Sequence, residues 1–437
     1  MAKNNWCLKK PNNMIWFLVI VFVLGLVLRF PIAFALGLSC LAYILFKGIP
    51  LIIIPMKMYS GIDVFVLLSV PGFIMAGNLM NHGGLTEKII KFCNHLLGHI
   101  RGGLSLVNIG ASMLFAGISG TAISDTASMG SIMIPAMKKE GYDTGFSCAV
   151  TAASSTVGPI IPPSVPMIIA ATLSGLSVGK LFLAGALPGF LLGIGLMFTA
   201  YFISKRRNYP KHPRSNFKQI ALGFVDTFWS LLMTFIILYG IIGGIFTPTE
   251  ASIIAVLYAI VIGKFVYKKL NLKNIQVVLL DSMKTSASLM VLVGFANLFG
   301  YILITEQIPQ TISSGILGFT TNKYVVLLLL NLLLIIVGTF METIAALLIL
   351  FPILLKVAIE VDVDPIHFAV IAVLNLIIGL TTPPVGVCLF VASSIGKISI
   401  GEVSQAGFPF LLVSFLVLIL VTLFPSLSLF LPNLFMY

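Results

Sequence analysis

Residues 117–126 read Gly117-Ile-Ser-Gly-Thr-Ala-Ile-Ser-Asp125-Thr126, and residues 338–343 read Gly338-Thr-Phe-Met-Glu342-Thr343, each inside a long apolar run. Glycine and small residues let a backbone leave helical geometry. The runs Gly102–Met137 and Lys323–Val357 are too long for one crossing and suit two half-helices meeting at these tips. A re-entrant hairpin is predicted in each place. Both are followed by the same features: a proline ten residues beyond the acid (Pro135, Pro352), a Pro-Pro break (Pro162-Pro163, Pro383-Pro384) and a closing proline (Pro188, Pro409). The offset is 217 at Asp125/Glu342 and at Pro135/Pro352, and 221 at the Pro-Pro pair and the closing proline, so one four-residue insertion reconciles them. A duplicated architecture is the expected reading.

The rest of the chain supplies the solvent for such hairpins. Of 437 residues, 59% are hydrophobic and only 9% charged, with a mean hydropathy of +1.11. No single protein core absorbs that surplus, so lipid must cover much of the surface. Disordered, collagenous, coiled-coil and water-soluble classes are excluded, and runs such as Leu181–Ile203 and Phe408–Phe424 have the length of helices rather than the alternation of a barrel. The predicted fold class is an all-α polytopic membrane protein with two inverted repeats, each holding a re-entrant hairpin and a Pro-broken helix. The net charge of +12 lies in short loops, which speaks for membrane orientation and against nucleic acid. Five scattered cysteines make neither a disulfide framework nor a metal knuckle. The segment from Lys3 to Leu28 resembles a signal peptide with Ala33-Phe34-Ala35 as cleavage site, but apolar sequence resumes at once and the segment is read as retained.

Charge then orients the copies. Lys138 and Lys139 follow the first hairpin, whereas Glu360, Asp362 and Asp364 follow the second, so the first enters from the cytoplasm and the second from outside. Clusters at Lys205, Arg206, Arg207, Lys211, Arg214 and Lys218, and at Lys264, Lys268, Lys269 and Lys273, keep the parity of the intervening helices Thr227–Phe246, Ala251–Lys264 and Val277–Leu303. The expected organisation is N-terminal scaffold helices over 1–84, a first repeat over 85–203, connecting scaffold helices over 204–276 and a second repeat over 277–437. Met14–Leu28, Pro31–Phe46 and Phe65–Met80 are helices, Gly48–Asp63 has no assignment, and Leu85–Ile100 reads as an interfacial amphipathic helix.

Two backbone breaks at membrane depth facing two Pro-Pro breaks imply a polar cavity, because lipid cannot satisfy freed N–H and C=O groups. A hard cation such as Na⁺ wants oxygen ligands there. Ser119, Thr121, Ser154, Ser155 and Thr156 offer hydroxyls in the first copy, and Thr339, Thr343, Thr381 and Thr382 in the second. Asp125 and Glu342 each either support a cation or brace a hairpin by accepting backbone N–H bonds. No Arg or Lys stands at a tip or Pro-Pro break, so an anionic substrate needs helix N-termini, hydroxyls and co-bound cations. Thr247-Pro248-Thr249-Glu250 reads as a capping box. His95 and His99 lack an acid to complete a metal site. No P-loop is present, and no catalytic constellation points to an enzyme.

Four motifs carry a resemblance: Gly244-Ile-Phe-Thr-Pro-Thr-Glu-Ala251, Ser119-Gly-Thr-Ala-Ile-Ser-Asp125, Gly158-Pro-Ile-Ile-Pro-Pro-Ser-Val-Pro166 and Asn375-Leu-Ile-Ile-Gly-Leu-Thr-Thr-Pro-Pro-Val-Gly386. From about Met14 onward the chain resembles the large membrane subunit of tripartite ATP-independent periplasmic (TRAP) transporters, the DctM-type permease of the ion-transporter superfamily. The resemblance implies an elevator-type, Na⁺-coupled importer of an organic acid in the bacterial inner membrane, without other cofactor. It also implies a small DctQ-type membrane subunit and a DctP-type periplasmic binding protein that delivers a C4-dicarboxylate, sialic acid or another sugar or keto acid. By matching motif, the first Na⁺ site takes Ser119, Thr121, Asp125, Ser154, Val157 and Pro159, and the second Gly338, Thr339, Glu342, Thr343, Thr381 and Thr382. Substrate is expected against Gly120, Thr156, Pro162, Pro163, Met341 and Pro383. The sequence departs from the family at Glu342, where aspartate is frequent, at Lys356, where proline is frequent, and in a thirteen-residue extension. A stand-alone anion or dicarboxylate transporter of the same superfamily is the alternative.

Overall fold

A computed structural model describes residues 13–28, 30–119 and 121–436. Among them the chain is helical and has no strand. The order begins α1 (Asn13–Val27), α2 (Ile32–Lys47), α3 (Ile53–Ile62), a 3₁₀ turn Phe65–Leu68, α4 (Ser69–His82) and α5 (Leu85–Leu97). It continues α6 (Gly103–Ser119), α7 (Ala122–Lys139), α8 (Thr144–Ser154), α9 (Val165–Ser174) and α10 (Val178–Arg206). Then come α11 (Phe217–Ile242), α12 (Pro248–Val261) with a π-turn over Ile262–Val266, α13 (Leu272–Thr305) and α14 (Ile308–Phe319). The last are α15 (Lys323–Phe340), α16 (Thr343–Glu360), α17 (Pro365–Gly379), α18 (Val387–Gly396), α19 (Ile400–Leu423) and α20 (Ser426–Phe435). Among the described residues, eight helical stretches are long and apolar enough to cross a bilayer. The chain is an all-α, multi-pass membrane protein.

One compact unit comprises residues 1–64 and 287–315. Here Lys47 pairs with Glu306, whose carboxylate also accepts from the Tyr43 hydroxyl, and the Lys57 ammonium lies 4.2 Å from the Tyr301 ring centroid. The stretch Gly48–Asp63, which the sequence left without an element, holds α3, a helix with no buried residue.

The second unit comprises residues 65–286 and 316–437. Its helix ends recur at nearly constant spacing. The N-caps Thr121 and Glu342 are 221 residues apart, as are the N-caps Asp143 and Asp364, and Ser177 and Ser399 are 222 apart. Both Pro-Pro bonds are cis. Contacts between the two copies come in pairs with the roles exchanged: α7 packs on α18 and α16 on α9, α8 on α18 and α17 on α9, α8 on α19 and α17 on α10.

This register corrects one expectation. Asp125 and Glu342, aligned at 217 by chemical type, do not occupy equivalent positions. The fold aligns cap with cap, so Glu342 matches Thr121, and no four-residue insertion is needed. α5 is the expected amphipathic helix, but its apolar residues Leu85, Ile89, Phe92 and Cys93 are buried against α6 and α11 rather than left to the interface. The box at Thr247 forms: its side chain accepts from Glu250 N at 3.3 Å while Glu250 Oε2 accepts from Thr247 N at 2.8 Å.

Candidate functional site

Both predicted tips are breaks between helices. In the first, α6 stops at Ser119 and α7 resumes at Ala122, with Thr121 extended (φ −138°, ψ 138°) and its hydroxyl accepting from Ser124 N at 3.4 Å. Gly120 and the side chain of Ser119 lie outside the described residues. Asp125 follows in the first turn of α7, fully buried, where the helix dipole favours negative charge. Neither of its carboxylate oxygens has a hydrogen-bond partner.

The neighbours explain why. The hydroxyls of Ser112 and Ser155 stand beside Asp125, and each also has another partner. Ser112 Oγ donates to Ser154 Oγ at 3.2 Å, Ser154 Oγ to Asn108 Oδ1 at 3.3 Å, and Asn108 Nδ2 to Thr151 Oγ1 at 2.6 Å. Ser155 Oγ donates to the Thr151 carbonyl at 2.9 Å, and Thr126 Oγ1 to the Ala122 carbonyl at 2.8 Å. Asn108, Ser112, Thr126, Ser154 and Ser155 are all fully buried. The carboxylate thus sits among hydroxyl oxygens, with no hydrogen bond to either of its own oxygens. A bare buried anion in such a shell is expensive unless a cation joins it.

The first broken helix supplies the opposite wall. After α8, the turn is held by Thr156 N to Ala153 O, Val157 N to Ser154 O and Ser164 Oγ to Pro159 O. Ser164 then caps α9. Thr156, Val157, Pro159, Pro162 and Pro163 are buried here, so five of the residues expected to hold ion or substrate line one compact turn.

The second tip differs. α15 ends at Phe340, Met341 is extended, and Glu342 caps α16, its Oε2 accepting from Ile344 N at 2.9 Å and Ala345 N at 3.3 Å. Through that one oxygen Glu342 caps the helix. Thr343 Oγ1 is buried without a partner. Thr339, Thr381 and Thr382 donate to the carbonyls of Ile336, Ile378 and Ile378, leaving lone pairs outward. Gly386 N donates to Thr339 O at 3.3 Å, tying the Pro-Pro loop to the hairpin. Pro383 and Pro384 are exposed where their first-copy counterparts are buried.

α15 crosses α17 backbone to backbone: a Cβ on Gly379 would sit 2.5 Å from the Gly338 carbonyl carbon. Beside that crossing Asn375 Nδ2 donates to Asn331 Oδ1 at 2.7 Å, and Asn331 Nδ2 to Thr422 Oγ1 at 3.3 Å. Sequence reasoning missed Asn108, Ser112, Asn331 and Asn375. A carboxamide in the middle of an otherwise apolar helix was the available signal.

Broken helix pairs, a carboxylate without a donor and clustered hydroxyl oxygens inside an apolar bundle define a secondary-transport membrane protein, not an enzyme. The family model described as "Tripartite ATP-independent periplasmic transporter, DctM component" matches residues 18–427, and the chain belongs to that family: it is a TRAP transporter large permease. It is 43% identical over 407 residues to the sialic acid TRAP transporter large permease protein SiaM of Vibrio cholerae, covering 93% of this chain and 95% of that one. To the C4-dicarboxylate TRAP transporter large permease protein DctM of Pseudomonas aeruginosa it is 40% identical, covering 91% and 94%. The solved Alcanivorax borkumensis YdaH transporter has a similar fold, with a TM-score of 0.62 at 15% identity over 95% of this chain and 98% of that chain.

Proposed function

We propose that this permease imports an organic acid with Na⁺, in the bacterial inner membrane, as one part of a three-component system. The observation that carries the reading is Asp125: a fully buried carboxylate with neither oxygen hydrogen-bonded, set beside the hydroxyls of Ser112 and Ser155. That shell suits a hard monovalent cation and repels a second anion. Asp125, Thr121 and the Ser154–Pro159 turn, with Ser119, form the first cation site. Gly338, Thr339, Thr343, Thr381 and Thr382 form the second, with Glu342 holding the tip in shape. The substrate carboxylate lies between them, near Gly120, Thr156, Pro162, Pro163, Met341 and Pro383. Its charge is met by bound cations and the N-termini of α7 and α16. Relatives named for sialic acid and for C4-dicarboxylates support an organic acid of that size range.

Lys138 and Lys139 after one hairpin, against Glu360, Asp362 and Asp364 after the other, support opposite orientation of the copies. The two hairpins and the two broken helices then move as one elevator body past scaffold helices. The name of the family supports a small membrane subunit and a periplasmic binding protein as partners. The test is uptake in proteoliposomes containing both membrane subunits, with binding protein and substrate outside. An inward Na⁺ gradient should drive uptake in the intact protein, and Asp125→Asn should weaken Na⁺ activation while the subunit still inserts. Unchanged Na⁺ activation in Asp125→Asn returns Asp125 to a bracing role, and uptake by this chain alone favours the stand-alone alternative.

A further inference from the structure

The ten residues between α10 and α11 are not a slack linker. Gly102 N donates to Pro210 O at 3.1 Å, and His212 N to Gly98 O at 2.9 Å. His95 Nδ1 and Ser215 Oγ share a hydrogen bond of 3.0 Å. Tyr209 is buried, its ring centroid 4.5 Å from that of Tyr142 and 5.2 Å from that of Phe146. The strap is thereby fastened to the end of α5, the start of α6 and the loop after α7.

This fastening gathers cations from three separate segments. Arg101, Lys205, Arg206, Lys211, Arg214 and Lys218 are all exposed. None of the six has an ion-pair partner among the described residues. The nearby acids are occupied, Glu140 by His212 at 2.9 Å and Asp143 by Arg207 at 3.9 Å. Two helices fix the depth of the patch. The outward aromatics of α10 end at Phe202, 64% exposed, three residues before Lys205, and those of α11 begin at Phe217, 81% exposed, beside Lys218. Side chains that apolar meet lipid tails on both flanks, so the cations between them stand at headgroup level.

We propose that this patch is a binding site for anionic phospholipid, which clamps the strap and the loops beneath it to the bilayer surface. The general positive-inside bias accounts for basic residues on this side, but not for their convergence on a fastened scaffold where they outnumber the two nearby acids, Glu140 and Asp143. Free phosphate shares the headgroup's chemistry. The aromatic flanks favour the lipid, because they present hydrocarbon exactly where acyl chains would lie.

The full chain in detergent micelles, doped with phosphatidylglycerol, phosphatidylethanolamine or inorganic phosphate, tests this by native mass spectrometry and thermal melting. Intact protein should retain phosphatidylglycerol and melt higher with it, and phosphatidylethanolamine or millimolar phosphate should do neither. Lys211→Gln/Arg214→Gln/Lys218→Gln should weaken phosphatidylglycerol retention roughly tenfold or more. The charge-keeping pair Lys211→Arg/Lys218→Arg should retain it, which separates loss of charge from loss of fold. Lys264→Gln/Lys268→Gln/Lys273→Gln removes equal charge elsewhere and should leave retention unchanged. Equal loss in both triple variants, or displacement of the lipid by phosphate, overturns the proposal.

Discussion

At the scale of single residues, proton direction decides what Asp125 can hold. Asn108 donates to Thr151 and accepts from Ser154, which also reaches the Thr151 carbonyl, and so ties together the hydroxyls beside the acid. Without the carboxamide, Ser154 keeps only the Thr151 carbonyl at 3.0 Å to hold its proton, so the Ser154–Ser112 pair is freer to turn a donor toward Asp125 and compete with a cation. Asn108→Ala should therefore raise the half-saturating Na⁺ concentration for uptake roughly five- to tenfold, the equivalent of about one hydrogen bond at 1 to 1.4 kcal/mol, while substrate affinity at saturating Na⁺ stays put. An unaltered Na⁺ curve would show that the file is only packing. Glu342 behaves oppositely, because its Oε2 already accepts two backbone N–H bonds. Glu342→Ala should destabilise the subunit by about 1 kcal/mol, the usual loss of a cap, and Glu342→Asp should preserve Na⁺ dependence. A Na⁺ curve displaced as far by Glu342→Asp as by Asp125→Asn would make Glu342 a ligand.

At the scale of elements, much was legible because membrane helices advertise their breaks. Small residues at Gly117–Thr121 and Gly338–Glu342 foretold both interruptions to within a few residues, and the Pro-Pro pairs foretold both broken helices. The register between copies was misread for a definable reason. Acid was matched with acid, whereas the fold matches positions by the N–H groups they cap, and a threonine serves that end as well as a glutamate. Buried carboxamides went unread because their partners lie 43 to 44 residues away, on another helix. α14 was not foreseen either, since no long apolar run announces a twelve-residue helix. Close crossings are equally invisible in sequence. The α15–α17 crossing depends on Gly379, where a methyl group would meet backbone that cannot swing aside. Gly379→Ala should lower the thermal midpoint and the yield of monodisperse protein, overpacking of this kind costing about 1–3 kcal/mol, and Gly300→Ala, with nothing within 4 Å, should be tolerated. Equal behaviour of the two variants would refute the crossing.

At the scale of the unit that contains both copies, reciprocal packing sets which motions are open to it. α8 of the first copy touches α18 and α19 of the second, and α17 of the second touches α9 and α10 of the first, so neither copy can rotate against the other without opening two equivalent contacts at once. Transport by movement of both copies as one body leaves those contacts intact, whereas rocking of copy against copy breaks them in every cycle. The native Cys148 on α8 offers a direct test, since a Cβ placed on Gly396 of α18 comes within 2.3 Å of its Sγ. Gly396→Cys should cross-link to Cys148 under a membrane-permeant oxidant, visible as the loss of two maleimide-reactive thiols. If the copies travel together, oxidised protein keeps uptake within about twofold of the reduced form. If they rock, uptake falls with the fraction cross-linked and returns on reduction, and the elevator reading is lost while the Na⁺ site at Asp125 stands.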